Sequence, residues 1–475
     1  MLLLFLVPHK LKEICTVFSP SSSPPTHIGG HHTVCSRVAV KVHESVLKKV
    51  TILLVFTAKS KRLALVSIQL SSKTVQPLKN QHPMKKTQKI WLLLFCLAVP
   101  NVRAEDQAGK ADKDALKVTG GFTLRAAYDV HHYKANPYFM PSAIPAQQNN
   151  EKQQNFLFDV HNMGLGLEKG LSYGAHCFNF VVQSNIDLKE GFTLSRIYID
   201  HNAFTVGITD TQFANLEACP KTLTGDAPGN LSLGKVVQAT WKQKIAGGIG
   251  YAVGVEQAVQ VDLNPGLTAK EKSDAKWANK SDIPALTANV RYEKNFGHVQ
   301  FGSLLRVADF YNKVDHKTTY HPTFGFNGSS AINIIPEKTT LKLYGIYGVG
   351  AGSYTLYCKG LPKSKEESVD VYFEDPLDQT KLASIHIRGG YVGVEHRWIK
   401  QLRSTVVYGF TDTSDKDKRK TNDFHQEHFA SGNLTYHPTD HITIGFEYLF
   451  GACRQVEHDD FLMNHRLQGA VSFKL

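Results

Sequence analysis

The sequence predicts an all-β protein, a transmembrane antiparallel β-barrel of about sixteen strands over residues 117–475. Three observations predict it. Segments after residue 104 alternate apolar and polar residues with a period of two, as a strand with one oily and one wet face does. Every second connection between those segments is short, while most of the others are long and polar, the layout of a barrel set in a membrane. Arginines fall on the polar phase of their segments.

The alternation is clearest in GFTLRAAYDV, where Phe122, Leu124, Ala126, Tyr128 and Val130 oppose Thr123, Arg125, Ala127 and Asp129. In LTANVRYEK, Leu286, Ala288, Val290 and Tyr292 oppose Thr287, Asn289, Arg291 and Glu293, and LRSTVVYGF, ITIGFEYLF and RLQGAVSFKL repeat the pattern. Strands are expected to start near residues 118, 155, 175, 192, 203, 234, 247, 285, 298, 323, 340, 384, 402, 428, 441 and 464. That leaves roughly 23 residues for each strand and its connection, enough for the 9 to 11 a tilted strand needs to cross a bilayer.

The connections sort by side. KGLSYG, HN, QKIAGG, KNFG, PEKT, IKQ and PTDH are turns, whereas 134–153, 210–233, 260–283 and 351–382 are long loops, with LKEG around Lys189 a short exception on the long side. A closed barrel leaves no backbone donor or acceptor unpaired in hydrocarbon, which an open sheet cannot achieve. Tyr133, Phe156, Trp241, Trp398, Phe450 and Phe473 lie near strand ends and suit interfacial girdles. An arginine facing lipid at mid-membrane costs about 2–4 kcal/mol. Arg125, Arg196, Arg291, Arg306, Arg388, Arg403 and Arg466 are therefore expected to face a wet interior.

Upstream of the barrel, MKKTQKIWLLLFCLAVPNVRA has the three parts of an export signal. Lys85, Lys86 and Lys89 form the positive end, Ile90 to Val99 the apolar run, and Val102-Arg103-Ala104 the cleavage site. Residues 84–104 are read as a signal peptide and 105–116 as a short linker. Residues 1–83, with no consistent hydrophobic period, are read as a disordered extension upstream of the true start at Met84. The rival reading gives them a targeting role of their own. The HIGGHH cluster there lacks a partner cysteine or carboxylate and is read as plain loop.

This boundary removes the basic character of the chain. Residues 1–104 hold 15 Lys and Arg against 2 Asp and Glu, leaving 39 bases against 40 acids in the exported part. Nucleic acid is excluded as a partner on that balance. Cys177, Cys219, Cys358 and Cys453 follow the cleavage site without CxxC spacing, so zinc and thioredoxin-like chemistry are disfavoured; pairing of some of them outside the cytoplasm stays open. No motif asks for a cofactor or a metal. No spacing of Ser, His and an acid marks a catalytic group, so an embedded hydrolase is disfavoured.

Several stretches resemble one family. VGITDTQFANLEACPKTL at 206–223, YGVGAGSY at 347–354, HRWIKQLRSTVVYGF at 396–410 and NLTYHPTDHITIGFEYLFG at 433–451 are similar to the DcaP-like trimeric porins of Gram-negative outer membranes. The resemblance runs unevenly from about Val118 to the C-terminus. It implies a homotrimer of porin-like sixteen-stranded barrels in the outer membrane, passing small hydrophilic solutes by diffusion, with organic anions such as dicarboxylates as the expected class. Thr209 and Asp210 depart from the family's usual Trp-Ser, Ser353 from a frequent Arg, and Leu475 from a terminal Phe.

By the same resemblance the connection after the fifth strand folds inward, so Asp210, Glu217, Lys221 and Asp226 are expected at a constriction; as a plain surface loop it would need no such role. Guanidinium groups bind carboxylates bidentately, and rings of Arg bias pores toward anions. Arg125, Arg196, Arg291, Arg306, Arg403 and Arg466 are the candidate pore-lining residues for that bias. The competing expectation pairs each with an interior acid such as Asp129, Asp200, Glu293 or Glu447. Leu467, Gly469, Val471, Phe473 and Leu475 alternate to the last residue, as in substrates of the outer-membrane barrel assembly machinery. The expected partners are therefore membrane lipid, that machinery, two further copies of the chain and small anionic solutes. The alternative function is an adhesin or receptor acting through loops 260–283 and 351–382.

Overall fold

The structure is a computed structural model. It describes residues 116–130, 138–144, 155–173, 176–187, 191–232, 234–258, 276–280, 282–355, 370–374, 382–413, 424–455 and 458–475, together with a short strand pair, Thr51–Leu53 and Gln69–Ser71, in a separate N-terminal unit. The signal peptide, the cleavage site, Tyr133 and Cys358 lie outside the described residues.

Sixteen strands build the barrel: β1 (Leu116–Asp129), β2 (Phe156–Tyr173), β3 (His176–Asp187), β4 (Gly191–His201), β5 (Phe204–Asp210), β6 (Lys235–Ile245), β7 (Ile249–Glu256), β8 (Ala285–Lys294), β9 (Gly297–Asn312), β10 (Lys317–Ile335), β11 (Thr339–Val349), β12 (His386–Arg397), β13 (Leu402–Thr413), β14 (Phe424–Thr439), β15 (Ile442–Gln455) and β16 (His458–Lys474). Each pairs antiparallel with its neighbours, and β16 returns to β1 to close the sheet, with Arg466 opposite Asp129 and Phe473 opposite Phe122. Closure removes the two edges that lipid could not satisfy.

The period of two becomes inside and outside. On β13, Val406 is 62% exposed and its neighbour Val407 1%. Tyr408 and Phe410 continue the outward row, and Thr405 and Thr411 the inward one. An exterior of this kind, apolar side chains on nearly every strand, is what acyl tails cover. Trp241 packs edge-on against Tyr251, and Phe122 stacks on Phe473, so these outward aromatics are cross-strand pairs. No helix among the described residues is long and apolar enough to cross a membrane, which says nothing of a β-barrel.

Tight turns close one end, at 202–203, 246–248, 295–296, 336–338, 398–401 and 440–441. At the β8–β9 turn Gly297 has φ of 117° and a Cβ would stand 1.9 Å from the Ala331 carbonyl oxygen, so only glycine fits. The opposite end carries the long connections, but three are short: 188–190 as expected, and also 313–316 and 456–457. β9 and β10 run on past the expected start at 323, because TTYHPT continues the ladder from Lys317.

One expectation is corrected here. Arg388 points outward, on the same parity as Val392 and Val394, and its side chain is 73% exposed beside Asp412 at 2.6 Å. It sits at the long-loop end of β12, where the outer face meets headgroups and water, so an outward charge costs little there. A second correction concerns the interior. On the long-loop side Phe139, Phe213, Leu231, Tyr354, Phe429 and Leu449 form a buried apolar cluster, built by wall residues and by loops that fold into the barrel. That part of the interior is packed.

Candidate functional site: the lumen and its inward loop

The connection between β5 and β6, residues 211–234, enters the barrel and runs along its inner wall. A loop inside a barrel brings backbone N–H and C=O groups away from bulk water, and each needs a partner. The wall supplies them by type. Amide side chains, Lys342 and Tyr391 donate to loop carbonyls: Asn289 to Gln212 (2.9 Å), Asn327 to Phe213 (2.6 Å), Tyr391 to Ala218 (3.1 Å) and Asn433 to Lys221 (3.1 Å), with Lys342 on Glu217. Glutamates accept from loop amides: Glu256 from Gln212 (3.0 Å), Glu395 from Lys221 (2.9 Å) and Glu447 from Leu223 (3.1 Å). The tethers reach from β7 to β16, where Gln468 donates to the Thr224 hydroxyl at 3.0 Å, and on to β2, where Asn162 donates to the Thr224 carbonyl at 2.8 Å.

Local sequence makes this path feasible. A single 3-10 turn at Leu216–Ala218 bends the chain, and Pro220 and Pro228 lie over Gly393 and Gly409, glycines that leave room for them against the wall. Gly229 passes so close to Glu427 that a Cβ would stand 1.7 Å from its Oε1. The loop carries a thiol, Cys219, which burial pushes up to about 12. The segment Phe139–Ile144 packs inward above it, its Phe139 N–H donating to Asp226 at 2.8 Å.

The four residues expected at a constriction are all on or beside this inward path. Asp210 closes β5 and pairs with Arg196 at 2.6 Å. Glu217 pairs with Arg291; burial pushes its carboxyl up, and the Arg291 hydrogen bond and charge outweigh that and hold it below the ordinary carboxylate range. Lys221 is 71% exposed, 3.9 Å from Glu395. Asp226 is buried and takes hydrogen bonds from Thr224 (2.6 Å) and Gln468 (3.3 Å).

The six arginines all point inward but do not share one environment. Arg125 bonds Asp159 at 2.6 Å, Arg466 bonds Asp129 at 2.9 Å, and Arg306 bonds Asp370 at 2.8 Å and Ser353 at 2.8 Å beneath the Tyr354 ring. These three are buried, so as pore-lining groups they are corrected: they brace the wall and the inward loops, since a buried guanidinium needs its charge and its five donors answered. Arg291 is shared between Glu217 and Glu293, and Arg196 between Asp210 and Gln183. Arg403 is exposed, with no ion pair among the described residues.

Toward the short-turn side the barrel stays open. A cavity of about 840 Å³ is lined by loop residues 220–225 and the ends of the tall strands. Its charged lining comprises seven Lys and Arg, among them Arg196, Lys221, Lys338, Arg403 and Lys474, against Glu337 and Glu395. Thr405, Thr435 and Thr443 add hydroxyl donors, with His437 beside them. Sequence reading singled out Arg403 and Lys221 but missed Lys338 and Lys474, which sit at strand ends where a cation is ordinary. The wall tethers Asn289, Asn327 and Asn433 were signalled only by their inward phase.

Fold and lumen together define a class, the closed sixteen-stranded antiparallel β-barrel of porin architecture with an inward third loop. Among solved structures, the chain is similar to the outer membrane channel DcaP of Acinetobacter baumannii, with 17% identity and a TM-score of 0.62, covering 78% of this chain and 100% of that one. An anion-selective porin from Comamonas acidovorans (8% identity, TM-score 0.49, 76% and 100% coverage) and the outer-membrane protein OmpT of Vibrio cholerae (8% identity, TM-score 0.46, 78% and 100% coverage) resemble it more distantly. No protein-family model and no curated relative matches the sequence.

Proposed function

We propose that this barrel is a passive channel for small hydrophilic solutes, exported by cleavage after Ala104, assembled as a homotrimer and biased toward organic anions. The observation that carries the anion bias is the open cavity on the short-turn side, where seven Lys and Arg face two glutamates. A carboxylate entering such a space exchanges part of its hydration for guanidinium and ammonium donors, and rings of these groups select anions. Arg403 and Lys221 lead the set, because their side chains are exposed to the cavity, while Asp210 and Glu217 spend their charge on Arg196 and Arg291. The fold shared with DcaP supports the channel reading.

Single-channel recording in planar bilayers tests this. Steady conductance with a reversal potential favouring chloride and succinate over potassium is the expected result, and a cation-favouring potential refutes the bias. One observation favours a second reading, a receptor or adhesin: the apolar cluster around Phe213, Tyr354 and Phe429 fills part of the interior. A protein that inserts but shows no steady current supports that alternative.

A further inference from the structure

The inward loop leaves one sector of the wall free, and Arg196 stands in it. Loop residues are hydrogen-bonded to β6 through β16 and to β2. Among the described residues, no hydrogen bond joins residues 211–234 to β3 or β4. The open cavity reaches into this sector, taking Gln183, Ser184, Ser195 and Arg196 from β3 and β4 and Thr224 and Gly225 from the loop.

Arg196 also differs from the buried arginines in how its acid meets it. Asp159 and Asp129 each hold their arginine with both oxygens, Nε on one and a terminal nitrogen on the other. Asp210 holds Arg196 with one: Nε at 2.9 Å and Nη2 at 2.6 Å both fall on Oδ2. Nη1 donates to Gln183 at 2.6 Å, which leaves part of the five-donor fork unspent. The two side chains are 25% and 24% exposed, and an ion pair open to water in this way is weak. A second cation lies within reach. Lys235 stands opposite Asp210 in the β5–β6 ladder, is exposed, lines the same cavity and has no ion pair among the described residues. Side chains directly opposite start about 5 Å apart, so Asp210 passes from Arg196 to Lys235 by rotation alone.

Resting on the channel reading above, we propose that Arg196 is the subsite for a permeating carboxylate, that Asp210 is its tethered competitor, and that the site takes monocarboxylates in preference to dicarboxylates. A solute carboxylate binds the guanidinium while Asp210 turns to Lys235. Two cations then face two carboxylates, and the passage is neutral. A second carboxylate on the solute finds no cation left there, and Asp200, four residues along β4 and bonded by the buried Thr205, adds a negative charge to that wall. The return of Asp210 to Arg196 releases the solute, which keeps binding weak enough for flux. Arg403 and Lys221 draw anions into the cavity; Arg196 discriminates among them.

Bi-ionic reversal potentials at neutral pH test this, with succinamate on one side and succinate on the other, solutes of one length that differ by one charge. Wild type is expected to pass succinamate the more readily. Asp210→Asn leaves both cations unmatched and is expected to raise the permeability of succinate relative to succinamate by about fivefold, the effect of one unit charge at close range in wet surroundings. Asp210→Ser gives the same reading should Asp210→Asn fail to fold. Glu337→Gln removes a negative charge from the same cavity, away from β4, and is expected to move the ratio far less. An unchanged ratio in the Asp210 variants, an equal shift in Glu337→Gln, or a wild-type preference for succinate overturns this inference while leaving an anion-favouring channel in place. A silent or cation-favouring wild type removes the channel reading, and the inference with it.

Discussion

Arg466 and Asp129 meet at 2.9 Å across the seam where the last strand pairs with the first, and both are buried. Two contacts run in parallel, Nε to Oδ1 and the terminal nitrogen to Oδ2, and Asn464 adds a third donor to the same carboxylate at 2.9 Å. Removing one partner leaves a buried charge unanswered, at a cost of about 3–5 kcal/mol. Arg466→Met is therefore expected to lower the urea midpoint of the refolded barrel sharply, read by tryptophan emission. The double variant with Asp129→Leu is expected to recover much of the loss, because replacing both charges with apolar groups is close to neutral. Equal destabilisation in single and double variants would show that the seam does not depend on this pair.

Arg306 does for an inward loop what Arg466 does for the seam. It holds the Asp370 carboxylate, the Ser353 hydroxyl and the Gly350 carbonyl, all from the connection between β11 and β12. Arg306→Met is expected to release that connection from the interior while the β9–β10 ladder stays paired. Recordings of the variant are expected to show larger and noisier current than wild type; an unchanged trace would mean the loop is held elsewhere.

How much of this was legible in the sequence follows from the range of each interaction. The alternation in LRSTVVYGF gave β13 its faces, because period two is a local property of one strand. Arg388 was misplaced although Val392 and Val394 fix its parity, since a charge on the outer face is costly at mid-membrane and tolerated at the rim. Asn327 holding the Phe213 carbonyl spans 114 residues, and Asn433 holding that of Lys221 spans 212. Such pairs have no local signature, so the wall's amides read simply as polar lumen. For the same reason Arg125, Arg306 and Arg466 were legible as inward but not as buried.

The pH response of the inward loop has a definite sign. Glu217 has its carboxyl held below the ordinary carboxylate range, burial opposing and Arg291 prevailing. A carboxylate lowered on folding stabilises the folded loop at every pH above its unfolded value, and that contribution disappears as pH falls through the lowered folded value. Conductance and its noise are expected to stay constant from neutral pH down to the ordinary carboxylate range and to change only below it. Glu217→Gln is expected to show the acid behaviour already at pH 7. A wild-type transition well above the carboxylate range would assign the response to another group.

Thiol chemistry separates the inside of the barrel from its rim. Cys219 lies in the inward loop, its thiol pushed up to about 12 by burial, whereas Cys177 is exposed at the short-turn end of β3. Thiolate is the reactive form. Maleimide at pH 8 is expected to modify Cys177 in the folded protein within minutes and to leave Cys219 untouched until urea unfolds the barrel. Peptide mapping reads both sites, and prompt modification of Cys219 would mean the loop leaves the wall.

The charge that sets selectivity is expected to be concentrated at Arg403. Its side chain faces the open cavity without an ion pair among the described residues, while the buried Arg125, Arg306 and Arg466 are matched one to one by acids, the half-buried Asp159 and the buried Asp370 and Asp129. Matched charges contribute little net field to the bore, and an unmatched one contributes its full share. Arg403→Glu exchanges a positive for a negative charge among Lys221 and Lys474, so the reversal potential is expected to move toward cations by more than in Arg403→Gln. The shift is expected to shrink as salt rises and the Debye length falls from about 10 Å at 0.1 M to about 3 Å at 1 M. Arg125→Gln is the control, expected to weaken the barrel and to leave the reversal potential of the surviving channels in place. If Arg125→Gln moved selectivity as far as Arg403→Glu, the bias would belong to the buried pairs and the open cavity would not be its source.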